Sequence, residues 1–83
     1  MSGEGLEEIL ANKELNCRGM RCPLPVIYTR KALAAMSSGE VIKVVCTDPG
    51  SVADMSEFSQ RTGNSLMLHQ EQAGDFIFFL RKP

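Results

Sequence analysis

The sequence predicts an α+β domain with the order β-α-β-α-β-β, folded as one mixed four-stranded sheet with both helices on one face. Three observations carry this prediction. Each of the first two connections between strands holds a helical stretch long enough to be a crossover, so the strands it joins are parallel with right-handed connections. The last two strands are separated only by Ala73-Gly74-Asp75, a hairpin turn, and are therefore antiparallel. At 83 residues there is room for one small core, and a single sheet covered by helices is the economical way to build it.

Taken in order, residues 1–12 read as a flexible or short helical leader, with helical potential at Leu6, Ile9 and Leu10, ahead of a single domain over 13–83. Residues 13–17 form a short strand. The first helix spans about 23–37. Its stripe of Val26, Thr29, Leu33 and Met36 is spaced 3, 4 and 3, one face of a helix, and Gly39 is a good C-terminal stop. Its start is open between two positions, because Pro25 disfavours helical angles at Leu24. Residues 40–46 carry Val41, Ile42, Val44 and Val45, the β-branched density of a strand. Thr47-Asp48-Pro49-Gly50-Ser51 turns the chain. Asp48 before Pro49 is an N-cap signal, and Ser51 with Asp54 is a competing capping box. The second helix turns Val52, Met55 and Phe58 inward and ends at Gly63. Strands over 65–70 and 76–81 complete the sheet.

The composition limits what the chain does. A formal net charge of −1 lacks the basic excess of a general nucleic-acid binder. The acidic, polar first dozen residues contain neither a signal peptide nor a membrane span, so a cytoplasmic protein is expected. Three cysteines is an odd number, which argues against a disulfide scaffold.

The chemistry concentrates at Cys22-Pro23-Leu24-Pro25. Pro23 keeps Cys22 out of the α region, off the N-terminal end of the first helix, where the helix's positive end stabilises a thiolate. The two prolines remove two first-turn donors, leaving the N–H groups of Leu24 and Val26 to face the sulfur. Arg18 and Arg21 flank the thiol, and Arg30 and Lys31 extend a positive rim along the helix. Together these features predict a thiol pKa below the free value of about 8.5 and a surface attractive to acidic partners. The plainer reading makes Cys22 a buried small residue and the arginines a solvated loop. The loop Arg18-Gly19-Met20-Arg21 argues against burial. Cys17 reads as a semi-buried strand residue and Cys46 as core. With His69 they make up a nominal zinc set, but no paired Cys-x-x-Cys spacing supports a metal, and His69 reads as a solvent-facing strand residue. The run Phe76-Ile77-Phe78-Phe79-Leu80 does not alternate. On a sheet covered on one face, some of these side chains are left for docking or dimerisation, unless the leader crowds them.

The stretches Leu15-Asn16-Cys17-Arg18-Gly19-Met20-Arg21-Cys22-Pro23-Leu24-Pro25, Lys31-Ala32-Leu33, Ser38-Gly39-Glu40, Thr47-Asp48-Pro49-Gly50-Ser51 and Asp54-Met55 with Phe58, then Gly63 before a Leu-rich strand, resemble the TusA-like (SirA-like) sulfur-carrier proteins. The resemblance covers nearly everything after residue 13. It implies a two-layer α/β sandwich in which Cys22 carries sulfur as a persulfide. The sulfur would be accepted from a cysteine desulfurase or rhodanese-type donor and relayed to a downstream acceptor protein. Asn16 and Asn64 stand where family members often have Asp and His; neither bears the sulfur, so the departures bear on partner choice. The resemblance leaves the destination open among thiolated tRNA bases, molybdenum-cofactor synthesis, sulfur oxidation and selenium handling.

The chemistry implied is nucleophilic: a thiolate attacks a donor persulfide and later yields its sulfane sulfur. It calls for no metal or organic cofactor. It also calls for no direct nucleic acid or membrane contact, and suits a monomer or weak dimer. Cys22 is the candidate reactive residue, with Pro23, Pro25, Arg18 and Arg21 supporting it. Two other readings remain: a thiol-disulfide switch between Cys17 and Cys22, and a small RNA-binding or adaptor module, since this βαβαββ shape also occurs in a translation initiation factor domain.

Overall fold

The computed structural model describes residues 11–83. It contains β1 (Lys13–Cys17), α1 (Leu24–Ala34), β2 (Val41–Cys46), α2 (Ser51–Thr62), β3 (Ser65–Gln72) and β4 (Asp75–Arg81). The leader read at Leu6, Ile9 and Leu10 lies outside the described residues. The sheet order is β1-β2-β4-β3, with β1 and β2 parallel and β4 antiparallel to both of its neighbours. The mixed four-stranded sheet with two helices is therefore the observed architecture.

Alternation along the strands sorts the apolar residues. Ile42, Val44 and Cys46 of β2, Phe78 and Leu80 of β4 and Cys17 of β1 join Leu33 of α1 and Met55 and Phe58 of α2 in the main core. Their neighbours along the strands point the other way. Val41, Val45, Ile77 and Phe79 form a second cluster, with Ala11 and Leu68 packed against it. The Lys43 ammonium stands 6.0 Å from the centre of the Phe79 ring. This corrects the reading of 76–80 as a docking strand: Ile77 and Phe79 are buried, at 6% and 2% exposure. The run lacks alternation because both faces of β4 are apolar and covered. The third strand also continues past residue 70 to Gln72, and Asp75 belongs to β4. The turn narrows to Ala73 and Gly74, both with positive φ (52° and 88°), the conformation of a two-residue hairpin loop. A bulge at Met67 lets Leu66 face the main core and Leu68 the second cluster.

The helix ends also differ from the sequence reading. α1 starts at Leu24 with Pro23 as its N-cap, and Pro25 sits buried in its first turn. It ends at Ala34 rather than near residue 37. The Lys82 ammonium donates to the carbonyl of Leu33 at 2.7 Å, while Ala35 and Met36 donate three residues back to Ala32 and Leu33 and tighten the chain out of the helix. The buried face of α1 is Pro25, Thr29 and Leu33, with Val26 and Met36 half-buried beside it. α2 buries Ser51, Met55 and Phe58 and stops at Gly63, which takes the left-handed conformation (φ 81°). Neither capping signal operates as read: Gly50 is the N-cap, and no side chain caps the helix.

Candidate functional site

Because β1 and β2 are parallel neighbours, the loops leaving their carboxyl ends lie side by side, the usual place for a site in sheets of this kind. Three hydrogen bonds donated by backbone N–H groups hold the first loop. Met20 N–H donates to the Cys17 carbonyl (3.2 Å), Gly19 N–H to Thr47 Oγ1 (2.8 Å) and Cys22 N–H to Asp48 Oδ2 (2.9 Å). Gly19 adopts φ 81°, which glycine takes without strain. The second loop comes so close that a Cβ built on Gly50 would lie 3.4 Å from the Cβ of Cys22 and 3.2 Å from Asp48 Oδ2.

At this junction Cys22 is exposed, and its Sγ–H donates to Asp54 Oδ2, one turn into α2. The expected electrostatics are reversed. The Asp54 carboxylate raises the thiol pKa, because ionisation would lose that hydrogen bond; desolvation and the charges of Asp54 and Asp48 add to the rise. The N–H groups expected to face the sulfur are taken: Leu24 N–H donates to the Arg21 carbonyl (2.8 Å) and Val26 N–H to that of Pro23 (3.1 Å). Arg18 is not at the thiol either. Its guanidinium grips Asp75 at the start of β4, with Nε at 3.1 and 3.2 Å from the two oxygens and Nη2 at 2.9 Å. Arg21 is exposed next to Cys22 in the chain.

The other singled-out residues separate. Cys17 and Cys46 face each other in the β1–β2 register and are both fully buried, Cys17 more deeply than expected. Burial raises the Cys17 thiol and pushes that of Cys46 up to about 11. His69 lies on the edge strand opposite β1, three strand spacings or roughly 14 Å across the sheet from Cys17. There it is exposed, as expected, and its ring also stacks on Phe78 at 5.2 Å. Among the described residues no cluster of three such side chains is suited to hold a metal. Asn64 follows the far end of α2 and hydrogen-bonds Thr62, roughly a helix length (about 18 Å) from the end that Cys22 faces.

Asp54, Asp48 and Gly50 are the site residues that sequence reasoning did not place there. The signal was available: two right-handed crossovers make the post-β1 and post-β2 loops neighbours. Beside the site, a groove of about 350 Å³ runs between the helices, lined by Pro23, Val26, Arg30, Asp54, Phe58 and Arg61 among others.

Residues 13–82 match the family model described as Sulfurtransferase TusA. The chain belongs to the TusA family. This TusA-family chain is 48% identical over 71 residues to the sulfur carrier protein TusA of Allochromatium vinosum, covering 86% of the chain and 93% of that protein. It is 40% identical over 70 residues to a putative sulfur carrier protein of Neisseria meningitidis, covering 84% and 95% respectively. The crystal structure of a SirA-like protein from Desulfitobacterium hafniense shares the TusA-family chain's fold, with a TM-score of 0.74 and 24% identity over 83% of the chain and 95% of that structure. No helix among the described residues is long and apolar enough to cross a membrane.

Proposed function

We propose that this protein is a cytoplasmic sulfur carrier that takes up sulfane sulfur as a persulfide on Cys22. The donor is a cysteine desulfurase or a rhodanese-type protein, and the sulfur passes on to an acceptor protein. The observation that carries the reading is that Cys22 is the one exposed cysteine of the three and stands at the junction of two pinned loops, in a chain whose relatives are named sulfur carriers. A carrier must offer its sulfur outward to partners. Leu24, Ile27 and Tyr28 of α1 are 42–44% exposed and spaced i, i+3, i+4, so they form an apolar stripe beginning two residues after the thiol. Arg21, Arg30 and Lys31, all exposed, border this face and suit a partner with an apolar centre and an acidic rim. A switch using a Cys17–Cys22 disulfide would need Cys17, which is buried against Cys46.

Incubation with a cysteine desulfurase and cysteine, followed by intact mass and peptide mapping, tests the proposal. The expected result is one added sulfur atom on Cys22 and none on Cys17 or Cys46. Modification that survives in Cys22→Ser overturns it.

A further inference from the structure

Asp54 is more than a neighbour of the thiol. Its Oδ2 is the acceptor of the Cys22 Sγ–H, it is half-buried in the first full turn of α2, and it lines the groove between the helices that begins at Pro23, the residue after Cys22. Asp48 fixes the backbone of the same residue from the adjoining loop, so the thiol is held on the Asp54 carboxylate and not merely near it. The geometry points to Asp54 as a catalytic residue, the proton acceptor that converts the resting Cys22 thiol into a nucleophile as an electrophilic sulfur arrives.

The inference rests on the carrier reading above and names the base for its loading step. The Cys22 S–H bond breaks and its proton passes to Asp54 Oδ2. The freed electron pair forms a bond to the sulfane sulfur of the donor persulfide. The donor's S–S bond breaks, and that pair stays on the donor's own sulfur, which recovers a proton from Asp54 through water. Donor persulfide and Cys22 thiol become donor thiol and Cys22 persulfide, so no oxidant or reductant is required. Such a carrier rests as a protonated thiol, unreactive towards stray disulfides, and is activated only when an electrophile is in place.

Other charged groups around the site do not offer a competing base in contact with the sulfur. Asp48 binds the Cys22 backbone N–H. Arg18 is held by Asp75. In the groove, Arg30 comes from α1, and Glu57 and Arg61 of α2 pair with each other at 2.7 Å. Arg21 precedes Cys22 in the loop.

The test is the pH dependence of Cys22 alkylation by iodoacetamide, read by mass on the Cys22 peptide, in the full chain and in Asp54→Asn and Asp54→Glu. Iodoacetamide does not titrate, so the profile belongs to the protein. Over about pH 6–8, below the free-thiol value of about 8.5, reaction through free thiolate rises about tenfold per pH unit. Assistance by Asp54 predicts a wild-type rate that changes less than about threefold over that window. Asp54→Asn should show the steep rise and cross the wild-type curve, slower at the acid end and faster at the alkaline end. Asp54→Glu should recover a shallow profile. A wild-type rate that climbs about tenfold per unit, or an Asp54→Asn protein faster at every pH, overturns the inference and leaves Asp54 a charge that suppresses ionisation. Neither result touches the carrier reading, which stands or falls on sulfur found at Cys22.

Discussion

Cys22 and Cys46 carry the same side chain in opposite surroundings, yet both thiols are raised. For Cys46 the cause is burial; for Cys22 it is a carboxylate that accepts its proton in a hydrogen bond. At neutral pH selectivity among the cysteines therefore comes from access, not from a standing thiolate. Arg18 is the counterpart case, a cation placed beside the thiol by sequence proximity but held by Asp75, 57 residues on. That pair sets an acid-range prediction. Arg18 lowers the Asp75 pKa, so the stabilisation is fully present above the ordinary carboxylate range and is lost as pH falls through the lowered value. Asp75→Asn should melt slightly below wild type at neutral pH, and the gap should close between about pH 5 and pH 1. Both side chains are partly solvated, so the gap is small. Thermal melts across that range check it; a gap that persists unchanged into strong acid would mean that Asp75 acts through packing.

At the scale of elements, the site is made by two loops and the start of one helix, and Gly50 is where they touch. Its φ of −64° suits any residue, so Gly50→Ala introduces no backbone strain, only a methyl group between Asp48 and Cys22. The expected outcome is a melting temperature within about 4 °C of wild type, together with severalfold slower sulfur loading, because the bond from Cys22 N–H to Asp48 must shift. Calorimetry and timed mass spectrometry measure the two separately, and unchanged loading would show that the close approach is incidental. α1 shows why helix faces were only partly legible. Thr29 and Leu33 were placed on the core face correctly. Apolar residues occur all round the first turns, however, so the stripe Leu24, Ile27 and Tyr28 was hidden among them and emerges only once the packed side is known.

For the molecule as a whole, the sheet buries apolar side chains on both faces rather than one. The helices cover the first, and on the second the central strands bury Val41, Val45, Ile77 and Phe79. Phe79→Ala should therefore cost as much as a core truncation, about 3–5 kcal/mol, a large share of the stability of a domain this size. Urea unfolding measures this, and a loss under about 1 kcal/mol would return Phe79 to the class of exposed docking residues. The parallel β1–β2 pair and the antiparallel β3–β4 hairpin followed from the sequence because connection length and turn chemistry restrict topology to few solutions, whereas the insertion of β4 between β2 and β3 is seen only in the folded sheet. Cys22 was legible as the candidate reactive residue because Pro23 and Pro25 mark a helix start in a local pattern. Local patterns carry no information about what lies across a loop junction. The hydrogen-bond partners of Cys22, Asp48 at its backbone N–H and Asp54 at its thiol, come from 26 and 32 residues away, and their immediate neighbours suggest only helix caps. The sequence by itself thus determined the elements, their order along the chain and the candidate nucleophile, all properties of short segments. Only the tertiary structure decided the charge environment of the sulfur, because electrostatics depends on distance in space, and the pairing of β1 with β2 brings acids rather than arginines to Cys22.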